Sequence, residues 1–156
     1  MSETEKIADQ LRLLFEGPSW LGPSIYSLLA DIDQPLADTR PLPTVHTIAE
    51  LVLHITAWLS IARERLFATS PVDPSAQEDW PPVSGPWQEA VAALRDAVEA
   101  LKKSVLAFPP ERLNETAPAA EPQTFYVLLH GVIQHSAYHA GQIALLKRAR
   151  QPHARE

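Results

Sequence analysis

The sequence predicts an all-α protein built as a four-helix bundle. Three observations predict it. Apolar residues recur at alternating spacings of three and four along four stretches, no stretch alternates as a strand would, and proline or glycine clusters separate the stretches.

Ile7, Leu11 and Leu14 mark the first helix, which Gly17-Pro18 stops. A shorter helical segment follows, with Ile25, Leu28, Leu29 and Ile32 on one side, before a loop from Asp33 to Pro43. Thr47-Ile48-Ala49-Glu50 has the Thr-x-x-Glu form of a capping box and opens a helix to about Phe67. Leu51, His54, Trp58 and Ile61 form its seam. From Thr69 to about Gly85 the chain holds Pro71, Pro74, Pro81 and Pro82, and it reads as an irregular connection.

The third long helix begins near Pro86. Trp87, Val91, Leu94, Val98, Leu101, Val105 and Phe108 give it an unbroken apolar seam, ended by Pro109-Pro110. The last helix runs from Gln123 or Thr124 to about Arg150, with Phe125, Leu128, Val132, His135, His139, Gln142 and Leu146 along one face. The proline-rich link between the second and third long helices is long enough for a hairpin or a parallel crossover, and spacing alone does not choose.

Composition narrows the function classes. At 156 residues with 46% hydrophobic content, a single domain over 1-156 is expected. No apolar run approaches the ~18 residues of a membrane span, so no membrane partner is expected. The start, Met1-Ser2-Glu3-Thr4-Glu5-Lys6, has no apolar stretch of a secretory signal, which makes cytoplasmic the expected location. With no cysteine, disulfides, thiolate nucleophiles and Cys-type zinc sites drop out. The net charge is −6. The basic cluster Lys147-Arg148-Ala149-Arg150, with Arg155, suits the carbonyl end of a helix better than a nucleic acid.

Chemistry enters through the histidines. His135 and His139 lie one helical turn apart, so both point the same way, about 5–6 Å apart at Cβ. Both fall on the core seam, as does His54 on another helix. A buried polar group without a partner costs about 1–3 kcal/mol. Two readings account for three inward imidazoles: hydrogen bonds within the core, or one divalent metal ion held between facing helices. Three neutral His ligands would leave positions open for water or substrate, the arrangement of catalytic metal sites.

The other candidates divide. His130 is expected to point elsewhere around the last helix, His46 precedes a cap, and His153 is expected in a frayed tail. Glu50 could act as a general base one turn before His54, but its capping role explains it more simply. Gln142 serves a ligand histidine, a substrate or helix packing. Tyr138, Trp58 and Trp20 line a pocket or belong to the core.

Leu53-His54-Ile55-Thr56-Ala57-Trp58, together with Ile133-Gln134-His135-Ser136-Ala137-Tyr138-His139-Ala140-Gly141-Gln142-Ile143, resembles the DinB-like (YfiT-like) metalloenzyme superfamily. Glu16-Gly17-Pro18-Ser19-Trp20 and the Pro-x-Pro lead into the second long helix are similar too, so the likeness spans roughly residues 3–150. The resemblance implies an up-down-down-up bundle, hence a crossover at the proline-rich link. It implies a divalent metal ion, nickel or zinc, on His54, His135 and His139. It also implies a homodimer and, in some members, transferase or isomerase chemistry with a low-molecular-weight thiol. The expected function is a metal-dependent transferase or hydrolase acting on a small-molecule substrate. The alternatives are a non-catalytic metal- or ligand-binding stress-response bundle and a structural dimerisation module.

Overall fold

The structure, a computed structural model, describes residues 1–150, with Arg150 by its backbone alone. Helix α1 (Glu3–Glu16) is opened by Ser2, whose hydroxyl accepts from the Glu5 amide in a capping box. It ends at Gly17, whose φ of +88° lies in a region that side chains disfavour. Then come α2 (Ile25–Leu29), α3 (Gln34–Ala37), α4 (Ile48–Arg65), α5 (Ala76–Asp79), α6 (Trp87–Ala107), a 3₁₀ turn (Pro110–Asn114) and α7 (Phe125–Arg150). Among the described residues there is no strand, only isolated bridges such as Thr116 with Thr124.

The four long helices form a ring in which α1 packs on α6, α6 on α4, α4 on α7 and α7 on α1. Their directions follow from cross-helix contacts. The Arg63 Nε donates to the Ser104 hydroxyl at 3.2 Å, near the C-terminal ends of both α4 and α6, and Ala49 lies by Trp87 and Ala90 at the other. Helices α4 and α6 are therefore parallel, and the proline-rich link is a crossover. In α7, His135 and His139 meet His54 of α4, Gln142 and Leu146 share a groove with Leu51, and Leu128 shares a cavity with Ala62, so α4 and α7 are antiparallel. The α1–α2 segment climbs beside α7: Leu14 lies by Ala137, and the Leu28 carbonyl accepts from Lys147 Nζ at 3.0 Å. The order is up-down-down-up.

The seams meet in the middle. Leu94, Val98, Leu59, Val52 and Ile143 are fully buried. Each such side chain is worth about 1.5–3 kcal/mol of burial, and they fix where the helices cross. Trp87 anchors the start of α6, its indole N–H donating to the Ile32 carbonyl at 2.7 Å.

Two expectations need correction. The stretch from Asp33 to Pro43 is not all loop. The Asp33 carboxylate accepts from the Leu36 amide at 3.0 Å, and Pro35 near the start has no N–H to leave unpaired, which together wind the turn α3. The proline-rich link also holds a turn, α5. Ser75 and Glu78 form a capping box around it, between prolines rather than across one. Of the basic C-terminal cluster, Lys147 serves α2, pairing with Asp31 as well as the Leu28 carbonyl. Arg155, like His153, lies outside the described residues.

Candidate metal centre

Helices α4 and α7 run side by side at the level where each turns its polar residues inward. His54 and His139 are buried at 4% and 6% exposure, and His135 is half-buried. Their Nε2 atoms converge: His135 Nε2 lies 3.0 Å from that of His54 and 3.0 Å from that of His139. The ligand atoms of the group all lie within 4.8 Å of one another.

The outer nitrogens determine the inner ones. His54 Nδ1 sits 2.6 Å from the main-chain carbonyl of Asp79, which can only accept, so this nitrogen carries the proton. Gln142 Oε1 accepts from His139 Nδ1 at 2.7 Å. With both Nδ1 atoms protonated, both Nε2 atoms present lone pairs to His135. The neutral His135 ring has one proton for two contacts, so at least one 3.0 Å nitrogen pair sets lone pair against lone pair. A cation among them removes that conflict, and the donor set fits a divalent ion. His135 Nδ1 is buried with no partner, so His135 is the least restrained of the three rings. Burial pushes His135 down to about 4, with His139 and His54 adding to the effect. Burial also lowers His139, although its bond to Gln142 opposes this.

The crossover link supplies the outer wall. Asp79 ends α5, and its carboxylate accepts from the Trp58 indole N–H at 2.7 Å while lying 3.3 Å from His54 Nδ1. Trp80 lies flat between two imidazoles, with ring centroids 3.8 Å from His54 and 3.6 Å from His46. Sequence reasoning missed Asp79 and Trp80. The signal available was Ser75-Ala76-Gln77-Glu78, a capping-box pattern inside the link.

The remaining candidates resolve plainly. Glu50 closes the capping box with Thr47 and pairs with Arg40 and His46, so it faces away from the cluster. Burial works to raise its carboxyl, but the Thr47 amide, Arg40 and His46 outweigh this and hold it below the usual range. His46 remains a loop residue, although it packs outside Trp80. His130 packs against Tyr126 with the rings tilted and their centres 4.4 Å apart, away from the cluster. Gln142 takes the role of a partner to a candidate ligand. Trp58 lines the site's cavity, whereas Tyr138 and Trp20 are 65% and 101% exposed and line no pocket there.

That cavity, about 380 Å³, opens beside the cluster and is lined by His54, Trp58, Arg65, Gly131, Val132 and His135. A volume of this order suits a small molecule.

A sequence model of the DinB superfamily matches residues 24–143, which include all three histidines. The chain belongs to the DinB superfamily. The match begins beyond Glu16-Gly17-Pro18-Ser19-Trp20, so that segment of the resemblance lies outside it. A crystal structure of a conserved protein from Enterococcus faecalis is similar in fold, with a TM-score of 0.72. It is 18% identical, over 95% of this chain and 96% of that one. No curated protein matches the chain. As in other bundles, the shared fold is a scaffold, and function must be argued from the site.

Proposed function

We propose that this DinB superfamily protein is a metal-dependent enzyme whose His54, His135 and His139 hold one divalent ion through Nε2. The supporting observation is the convergence of three Nε2 atoms beside a cavity of small-molecule size. Imidazole ligands suit nickel and zinc. Such an ion supplies Lewis acidity to an oxygen or sulfur group at its open positions. A low-molecular-weight thiol is one group that would use such a position.

The chain's own residues do the rest. Asp79 and Gln142 hold the His54 and His139 rings with their Nε2 lone pairs turned inward. Trp80 covers His54 from the link side, and Trp58 walls the cavity. The cavity gives a small-molecule substrate access to the His135 edge. Its place at the cluster favours an enzyme over a closed metal-binding bundle.

Metal content of purified protein, reloaded with nickel or zinc and desalted, tests the reading. About one ion per chain is expected, and His135→Ala should retain little. Equal, negligible metal in both would overturn it. Cobalt spectra then separate enzyme from closed site, because an open position shifts the spectrum when a small thiol is added and a closed one does not. Chelation should lower the melting temperature of the loaded protein, since a ligand bound only to the folded state stabilises it. An unchanged value would leave a structural module.

A further inference from the structure

We infer that the substrate of this site is a small carboxylate with an apolar body, its carboxylate held by Arg65 at the far end of the cavity from the histidines. The inference rests on the proposed reading for the reactive end of the cavity, and on Arg65 and Gly131 for the rest.

Arg65 lies eleven residues beyond His54 on α4, about 16 Å along the helix axis. Its side chain folds back toward the site, so that its guanidinium carbon sits 5.7 Å from the centre of the Trp58 ring. Trp58 is in turn 5.7 Å, centre to centre, from His135. An arginine only 4% exposed is unusual and calls for compensation. What it has is incomplete. Nε donates to the Val72 carbonyl at 2.9 Å, and one terminal nitrogen reaches Asp73 at a long 3.4 Å. Asp73 is itself 44% exposed and also accepts from the Ala120 amide. A guanidinium carries five N–H groups in a planar fork. Its Nη1 finds no acceptor among the described residues, yet it is not sealed off, which is what a cation edge facing a cavity would show.

The lining is mainly apolar, with Trp58, Ala62, Leu128 and Val132, while Gln123 and Asp79 also contribute, the Asp79 carboxylate being engaged by the Trp58 indole N–H. Gly131 opens the space. It lies within α7, where glycine costs roughly 0.5–1 kcal/mol relative to alanine. A Cβ there would meet nothing within 4 Å, so packing does not demand the glycine. Its absent side chain is cavity volume. A carboxylate matches the Arg fork in shape and charge, whereas an amine would meet a like charge.

Calorimetric titration of the metal-free protein near pH 7.5 with hexanoate, hexanol and hexylamine tests this. Hexanoate should bind at least about tenfold more tightly than hexanol, and hexylamine should not compete. Arg65→Gln should make hexanoate and hexanol equal. Gly131→Leu should fill the cavity and abolish binding of both, while cobalt still binds. If Arg65 only anchors the link, wild type will show no preference for hexanoate, or the preference will survive Gly131→Leu, and either result overturns the inference. Should Arg65→Gln fail to fold, those two arms still decide. Parallel cobalt titrations keep the readings apart. Cobalt binding without carboxylate preference overturns the substrate class alone, and carboxylate preference without cobalt binding overturns the metal site alone.

Discussion

Trp80 lies face to face on His54, ring centres 3.8 Å apart and planes within 6°, although the two belong to different elements of the chain. The stack restrains the one imidazole that α4 contributes, and Asp79 fixes its outer nitrogen from the same turn.

Replacing Trp80 with alanine removes the stack from His54 and His46 together. Loss of a group that orients a metal ligand commonly costs 10–100-fold in metal affinity. Trp80→Ala should therefore weaken zinc binding by about tenfold while circular dichroism stays helical. Competition with a colorimetric chelator measures the change.

Gln142 presents the mirror case on α7. Gln142→Leu keeps the bulk but leaves His139 Nδ1 without its acceptor, so the ring loses the bond that turns its lone pair inward. Zinc affinity should again fall by about tenfold, and Gln142→Glu should restore it, since a carboxylate accepts the same proton. Affinities unchanged in Gln142→Leu would show that packing alone orients His139.

In the metal-free protein, acid should destabilise the fold through His135. Its folded value of about 4 lies below the ordinary 6.5 because burial disfavours the charged ring. The unfolded chain then takes up a proton near 6.5 while the folded chain does not until about 4. The contribution is fully present above pH 6.5 and is lost as pH falls toward 4. Denaturant midpoints across that window should decline, and the decline should be shallower in His135→Phe.

Much of this was legible in the residues, and the gaps have physical causes. The long helices announced themselves because a period of three and four needs only burial on one face, and Leu94, Val98 and Leu101 supply it without interruption. The pair His135 and His139 was legible because helices hold i and i+4 residues together whatever the tertiary context, whereas His54 joined them only through its seam position and the family resemblance. Asp79 and Trp80 were not, since their place depends on how a proline-rich crossover lies on the bundle, and nothing local encodes that path. Arg65 continues the α4 seam, four residues after Ile61, but a cation at the end of an apolar stripe reads as a solvent-facing helix terminus. Tyr138 and Trp20 read as pocket or core aromatics, and both are exposed instead. Spacing left the direction of α6 open, the family resemblance implied a crossover, and the contact of Arg63 with Ser104 agrees with it.

The parallel pairing of α4 with α6 reaches beyond topology. Antiparallel neighbours are joined by about 2–8 residues, which would turn back at the bundle's end. A parallel pair obliges the chain to travel the full height of the molecule along its outside, and here that return path crosses the histidines. The same stretch thus supplies a wall that no helix of the ring could provide. Substitutions around Asp79, the link residue that lines the cavity, would alter what the cavity admits while leaving the four seams as they are, so changes in specificity could arise there with little change to the helices.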